Sequence, residues 1–385
     1  MNFMGFRRAN GTVGTRNHVL VFPTVICAGS VAEMISRVVP GTVVVNHPHG
    51  CGHMGEEKDL IVRAMSGFCA SPNVAGVLLV GLGCELITPR MIAEKLDAFG
   101  QRYEILSIQE EGGTTRTIAK GKLLAEKLLE EASGFVREPV DISELILGTN
   151  CGGSDTFSGL TANPSLGNAA DRLVSAGGTV LLSETPEMIG AEQVLARRAA
   201  NDTVKRRIYE ITAAMEDLAF RAGVDIRGSE PSPGNIEGGL TTLEEKSLGA
   251  VLKGGTTTIK QVVEYAQRPT EKGLIVMDGP AHDAITNTGM IAGGAQVVAF
   301  TTGRGTPLGA PIAPVLKIAT NSRIYEHMAD NLDINAGEIL DGKETIESMG
   351  ERIFREIIEV ASGKETKAEL LGHHEFAIPS LGLSA

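Results

Sequence analysis

Along the first half of the chain, short apolar runs alternate with longer stretches in which apolar residues recur about every three to four positions. His18 to Val25, Thr42 to Asn46, Val74 to Gly81 and Tyr103 to Ile108 read as strands. Ser30 to Val38, Glu56 to Phe68, Pro89 to Phe99 and Thr114 to Glu131 read as the helices between them. The run Val-Ala-Gly-Val-Leu-Leu-Val-Gly at 74–81 has no polar position, which suits a strand covered on both faces. The alternation predicts an α/β fold of mainly parallel sheets with helices on both faces.

Composition turns polar at Glu138 to Ser143, which sets the expected boundary between two such units. Residues 1–140 would form an N-terminal α/β unit carrying the Cys51 and Cys84 loops, and 141–385 a C-terminal unit carrying the Cys151 loop. In the second unit, Leu145 to Gly148, Thr179 to Ser183, Leu274 to Met277, Gln296 to Phe300 and Val315 to Ile318 read as strands, with one long charged helix from about Ala191 to Ala222. Pro231-Ser232-Pro233-Gly234-Asn235 predicts a loop, and Thr242-Leu243-Glu244-Glu245 opens a helix with capping-box spacing. On this reading Cys51, Cys84, Gln109, Cys151, Glu184, Asp278 and Thr302 all fall at or just past the carboxyl ends of strands, where open α/β sheets build ligand sites.

A formal net charge of -12 argues against a nucleic-acid partner or a membrane surface, and the absence of tryptophan removes stacking platforms for single strands. No run approaches the roughly 18 apolar residues of a membrane span, and the first residues lack the apolar core of a signal peptide. Five cysteines, an odd number without framework spacing, suit a reducing compartment, so a cytoplasmic protein is expected.

Three of those cysteines lie in glycine-rich turns: His49-Gly50-Cys51-Gly52-His53, Gly83-Cys84-Glu85 and Asn150-Cys151-Gly152-Gly153-Ser154-Asp155. With His47, His49 and His53 they could bind a borderline metal such as iron; as small residues tolerated in tight turns they would do nothing. Cys27 and Cys69 sit in apolar surroundings and read as core. Glu184, Glu187 and Glu192 follow a strand and offer carboxylates for a cation or for proton transfer, or simply favour a helix start. Arg7, Arg8 and Arg16 surround Asn10 to Thr15 and read as an exposed hairpin of guanidiniums, suited to a carboxylate. Thr302-Gly303-Arg304-Gly305 and Lys253-Gly254-Gly255-Thr256 are further positive turns, and His282 beside Asp283 is a possible base. Neither a Walker A loop, a Gly-x-Gly-x-x-Gly after a strand nor a Gly-x-Ser-x-Gly elbow is present.

Together, Gly5-Phe6-Arg7-Arg8 with Gly14-Thr15-Arg16-Asn17, His49-Gly50-Cys51-Gly52, Gly83-Cys84, Cys151-Gly152-Gly153-Ser154-Asp155, Ala162-Asn163-Pro164, Gly190-Ala191-Glu192, Phe300-Thr301-Thr302-Gly303 and Ile334-Asn335-Ala336-Gly337 resemble the altronate and galactarate dehydratase family from about residue 5 to residue 378. The resemblance implies loss of water from a sugar acid to give a 2-keto-3-deoxy acid, with Fe2+ as activator and Mn2+ as a substitute. It implies that Cys51, Cys84 and Cys151 line or ligate the metal, that Cys151, Asp155, Glu184 and His49 serve catalysis, and that Arg16, Asn17, Arg304 and Asn163 bind substrate. An iron-sulfur cluster on the three thiolates is the alternative to mononuclear iron. Thr301-Thr302-Gly303 and Asp333-Ile334-Asn335 look most like the altronate branch, whereas His53-Met54 departs from it, so galactarate stays open. The sulfolactate sulfo-lyase large subunit is a related branch, in which the resemblance places other residues at positions 51 and 84. A sugar-acid binding protein without catalysis would share the same pattern. In single-chain members a small domain of roughly ninety residues precedes the matching region, so a separate small subunit is expected here, in a homo-oligomer.

Overall fold

A computed structural model describes residues 1–380. Its strands are β1 (Asn2–Arg7), β2 (Val13–Gly14), β3 (His18–Pro23), β4 (Thr42–Val44), β5 (Val74–Gly81), β6 (Tyr103–Ser107) and β7 (Glu138–Asp141), followed by β8 (Ile146–Gly152), β9 (Thr179–Leu182), β10 (Ile259–Val263), β11 (Gly273–Met277), β12 (Val297–Thr302), β13 (Val315–Ala319) and β14 (Ile334–Asn335). A four-stranded sheet runs β4-β3-β5-β6 and a seven-stranded sheet runs β10-β11-β9-β8-β12-β13-β14, both parallel throughout. The expected α/β class is what the chain adopts.

Alternation along β3 sorts its side chains. Val19 and Val21 face the helices Gly29–Val38 and Thr114–Ser133, where Ala32, Ile35, Ala125 and Leu128 are buried. Leu20 and Phe22 face the opposite way, onto Ile61, Met65 and Phe68 of the helix Gly55–Cys69. That helix and the helix Asp283–Ala292 form a layer shared by the two sheets, because the same core continues into Ile275, Val298 and Phe300 of the larger sheet. Gly67 permits the approach: a Cβ there would lie 2.6 Å from the Ala292 carbonyl oxygen. The outer face of the large sheet is closed by Ala162–Ser175 and Ile346–Ala361 through Leu166, Leu173, Ile353 and Ile357.

Four features differ from the sequence expectations. Glu138–Asp141 is a strand, paired antiparallel with Asn2 to Gly5. The long helix is broken into Glu192–Ala196 and Asp202–Arg221, since Arg198 and Ala200 exchange backbone hydrogen bonds with Ile259 instead and Asn201 caps the second helix. Pro233–Glu237 is a short helix rather than loop, because proline needs no partner for its missing N–H at the first helical position. The β1–β2 hairpin exists, but Arg8 and Arg16 are buried.

Candidate active site

β8 and β9 lie side by side, and their carboxyl ends deliver Cys151 and Glu184 to one place. Cys151 corrects the sequence reading of a polar turn: β8 runs on past it, paired through Thr301, and the residue is buried. Glu184 has φ +76°, a left-handed conformation that costs a non-glycine residue about 1–3 kcal/mol and is typically held at functional sites. The 3-10 turn Thr185–Met188 then brings Glu187 back to the same point. Opposite them, the turn Val251–Gly254 presents Lys253.

The contacts are short. Lys253 Nζ lies 2.8 Å from Glu184 Oε2, 3.0 Å from Cys151 Sγ and 3.4 Å from Glu187 Oε2. The Cys151 thiol donates to Glu187 Oε2 at 2.9 Å. Lys246 Nζ reaches Glu187 Oε1 at 3.4 Å and Glu230 Oε2 at 2.9 Å. Both Lys253 and Glu184 are only 1 % exposed, so these charges act in a poorly screened interior.

Burial, then the neighbouring Glu187 charge, push Glu184 up to about 8. Burial also works against ionised Glu187, but Lys253 and Lys246 outweigh it and hold that carboxyl below its ordinary range. For Lys253 the penalty of burial is overcome by its acidic neighbours, of which Glu187 is the one ionised near neutrality, and it stays charged. Burial and Glu187 push the Cys151 thiol well up, so it stays protonated. Asp283, close by on its own helix, is raised to about 6 by burial and by Glu187. The cluster therefore contains a carboxyl group that can hold or release a proton near neutrality.

Cys151, Glu184 and Glu187 each offer one ligand atom within 4.8 Å of the others, and a sulfur with two carboxylate oxygens could hold a metal ion. The Lys253 ammonium stands among those same atoms and already supplies positive charge. Cation and ammonium are alternatives at this point.

Beside the cluster, Lys246 lines a cavity of about 330 Å³ with Ser154, Asp155, Ser158 and Asn163. Asp155 also lines a second cavity of about 490 Å³ with Arg304, Asn321 and Arg323, a size suited to a small molecule. Asp155 accepts from Ser158, Thr320 and Asn321, while Arg304 pairs with Glu237 at 3.0 Å and remains partly exposed. Asn163 is buried, bonding the Gly249 carbonyl and the Thr301 hydroxyl.

Other expected residues lie elsewhere. The Arg16 guanidinium donates to Glu369 twice and to the Thr15, Val360 and Lys364 carbonyls, which uses all five donors within the protein. Asn17 joins Arg8 to the Ala132 carbonyl. His49 is buried against the Ile378 carbonyl, and burial lowers it from its ordinary value. Cys51 and Cys84 are exposed at the carboxyl end of the small sheet and, among the described residues, share no close ligand group with Cys151. Cys69 is buried as expected, but Cys27 is exposed, a correction to its reading as core. Lys246 was not singled out by sequence, and Lys253 entered only as part of a positive glycine turn. The available signal was a lysine set between the apolar pair Val251-Leu252 and two glycines.

Comparison with known proteins is consistent along the whole chain. A family model described as D-galactarate/altronate dehydratase, C-terminal, matches residues 142–384, and one described as D-galactarate dehydratase/altronate hydrolase, second domain, matches 5–133. Altronate dehydratase of Bacillus subtilis (strain 168) is 37% identical over 393 residues, covering 99% of this chain and 78% of the relative. The (2R)-sulfolactate sulfo-lyase subunit beta of Chromohalobacter salexigens is 37% identical over 387 residues, covering 100% and 98%. Galactarate dehydratase (L-threo-forming) of Escherichia coli (strain K12) is 38% identical over 400 residues, covering 98% and 76%. The chain thus belongs to the D-galactarate/altronate dehydratase family of hydro-lyases.

Proposed function

We propose that this protein removes water from a sugar acid of the altronate or galactarate type, giving a 2-keto-3-deoxy acid, with altronate the first candidate. The observation that carries the reading is the buried Cys151–Glu184–Glu187–Lys253 cluster, in which Glu184 retains its proton up to about pH 8. Elimination needs a proton removed next to the carboxylate and another delivered to the departing hydroxyl. Protonated Glu184 suits delivery, and the Lys253 ammonium suits stabilisation of negative charge as it develops. Lys246 and Arg304, at the neighbouring cavities, would hold the substrate carboxylate, with Asp155 and its hydroxyl partners reading sugar hydroxyls.

Ferrous iron is the proposed activator and Mn2+ its substitute. At this cluster Cys151, Glu184 and Glu187 would hold it in place of the ammonium and of the Glu184 proton, so that a cation there would supply Lewis acidity toward a carboxylate or hydroxyl oxygen instead of proton delivery by Glu184. A separate small subunit is also proposed, supported by the relative named as a subunit beta, which this chain matches over 98% of its length. Ile26, Met54 and Leu86, exposed at 55%, 62% and 39% beside the loops that end the small sheet, offer it an apolar rim. That same relative favours a second reading, elimination of sulfite from sulfolactate, which shares the first proton abstraction.

The test is product analysis on a panel of sugar acids and sulfolactate, under anaerobic, iron-replete conditions, with and without the small subunit. Keto-acid formation from a sugar acid supports dehydration. Sulfite release from sulfolactate alone would replace it with the second reading.

A further inference from the structure

The expected trio of thiolates does not assemble around Cys151, yet another trio does. We propose that Cys27, Cys51 and Cys84 hold an iron-sulfur cluster of the [4Fe–4S] class at the carboxyl end of the four-stranded sheet, apart from the buried cluster around Cys151.

The three residues follow β3, β4 and β5, which are adjacent in the order β4-β3-β5. Neighbouring strands stand about 4.8 Å apart, so three consecutive strand ends span roughly 10 Å. Backbone hydrogen bonds stitch the loops together: the Ile26 amide donates to the His49 carbonyl at 2.9 Å, and the Ile87 amide to the Gly50 carbonyl at 3.0 Å. Gly50 makes this closeness possible, since a Cβ there would sit 2.4 Å from the Thr24 carbonyl oxygen. All three thiols are exposed, unlike Cys69 and Cys151.

Their sulfurs are not gathered within 4.8 Å of one another as a set, as one ion would require. A multinuclear cluster bridges a wider gap, and thiolates are its usual ligands. From the turn after β6, Gln109 Nε2 points at Cys84 Sγ at 3.6 Å, the kind of donor that tunes a cluster through its sulfur ligands. Two residues past Cys51, the buried His53 faces Glu57, with Nδ1 3.6 Å from Oε2.

Three protein thiolates leave one iron of such a cluster without a protein ligand. Loading is thiolate exchange. Three iron bonds to small-molecule thiolates break, three to Cys27, Cys51 and Cys84 Sγ form, each cysteine proton leaves with a displaced thiolate, and no electron moves. The use of the cluster rests on the hydro-lyase reading; its presence does not.

The experiment loads the full chain anaerobically from a preformed [4Fe–4S] cluster carried on small thiolates, then measures iron, acid-labile sulfide and the visible sulfur-to-iron absorption. About four irons and four sulfides per chain are expected. Cys27→Ala, Cys51→Ala and Cys84→Ala should each lose most of that content while retaining the wild-type circular dichroism, whereas Cys69→Ala and Cys151→Ala should keep it. Retention in Cys27→Ala, loss in Cys151→Ala, or iron bound without sulfide would overturn the assignment. A loaded chain inactive on every sugar acid would leave the cluster standing and count against the hydro-lyase reading.

Discussion

Glu184 is where sequence, strain and charge meet. A carboxylate at the end of an apolar strand is visible in the sequence, but its left-handed backbone, the buried Lys253 beside it and the return of Glu187 are products of the fold. Because its folded value is raised to about 8, the folded state binds a proton that an unfolded chain releases near its ordinary range. This contribution to stability is full at low pH and declines as pH rises from about 4.5 through 8. Glu184→Gln should remove that decline, read as unfolding midpoints across the same pH range. It should also cut turnover by about 10²-fold or more, as loss of a proton donor does. Wild-type turnover should fall above about pH 8, when Glu184 ionises. Arg16 gives the opposite result. Its residue type suited a substrate carboxylate, yet it is spent on Glu369 and the Val360 and Lys364 carbonyls far along the chain, contacts that no local pattern reveals. Arg16→Ala should cost about 3 kcal/mol in denaturant unfolding and leave KM unchanged; a raised KM with intact stability would restore it to the substrate site.

At the scale of elements, the alternation of apolar runs located the main strands of both sheets and the helices of the first half, because periods of two and of 3.6 are direct consequences of burial. What it missed depends on distant partners. Glu138–Asp141 is polar, and becomes a strand only because Asn2 to Gly5 lie beside it. The break before Asn201 is imposed by Ile259. The carboxyl-end rule placed Cys51, Cys84, Cys151 and Glu184 correctly at strand ends, but they belong to two different sheets, so one expected site became two places. The helices Gly55–Cys69 and Asp283–Ala292 join those sheets, and Gly67→Ala tests the joint. A methyl group there meets the Ala292 carbonyl and should cost about 1–3 kcal/mol by overpacking. An unchanged melting temperature would mean that the layers slide without penalty.

Over the whole molecule, the buried proton-holding cluster sits at the end of the large sheet and the exposed thiols at the end of the small one. The apolar rim beside those thiols is consistent with a partner seated there, so adding the proposed small subunit should raise turnover and, in the cluster-free chain, protect Cys51 and Cys84 from alkylation. Equal alkylation with and without it would put the partner elsewhere. The net charge of -12 keeps most of the surface unattractive to an anionic substrate, which gives Lys246, Arg304 and Arg323 at the cavities their importance. The most direct measurement compares wild type and Glu184→Gln, each with iron and the proposed small subunit, for keto-acid release from altronate and galactarate. A 2-keto-3-deoxy acid from wild type, reduced by about 10²-fold or more in the variant, is the predicted result. Wild-type and variant chains that form it equally fast, or a wild type that forms none from either acid, would contradict the assignment.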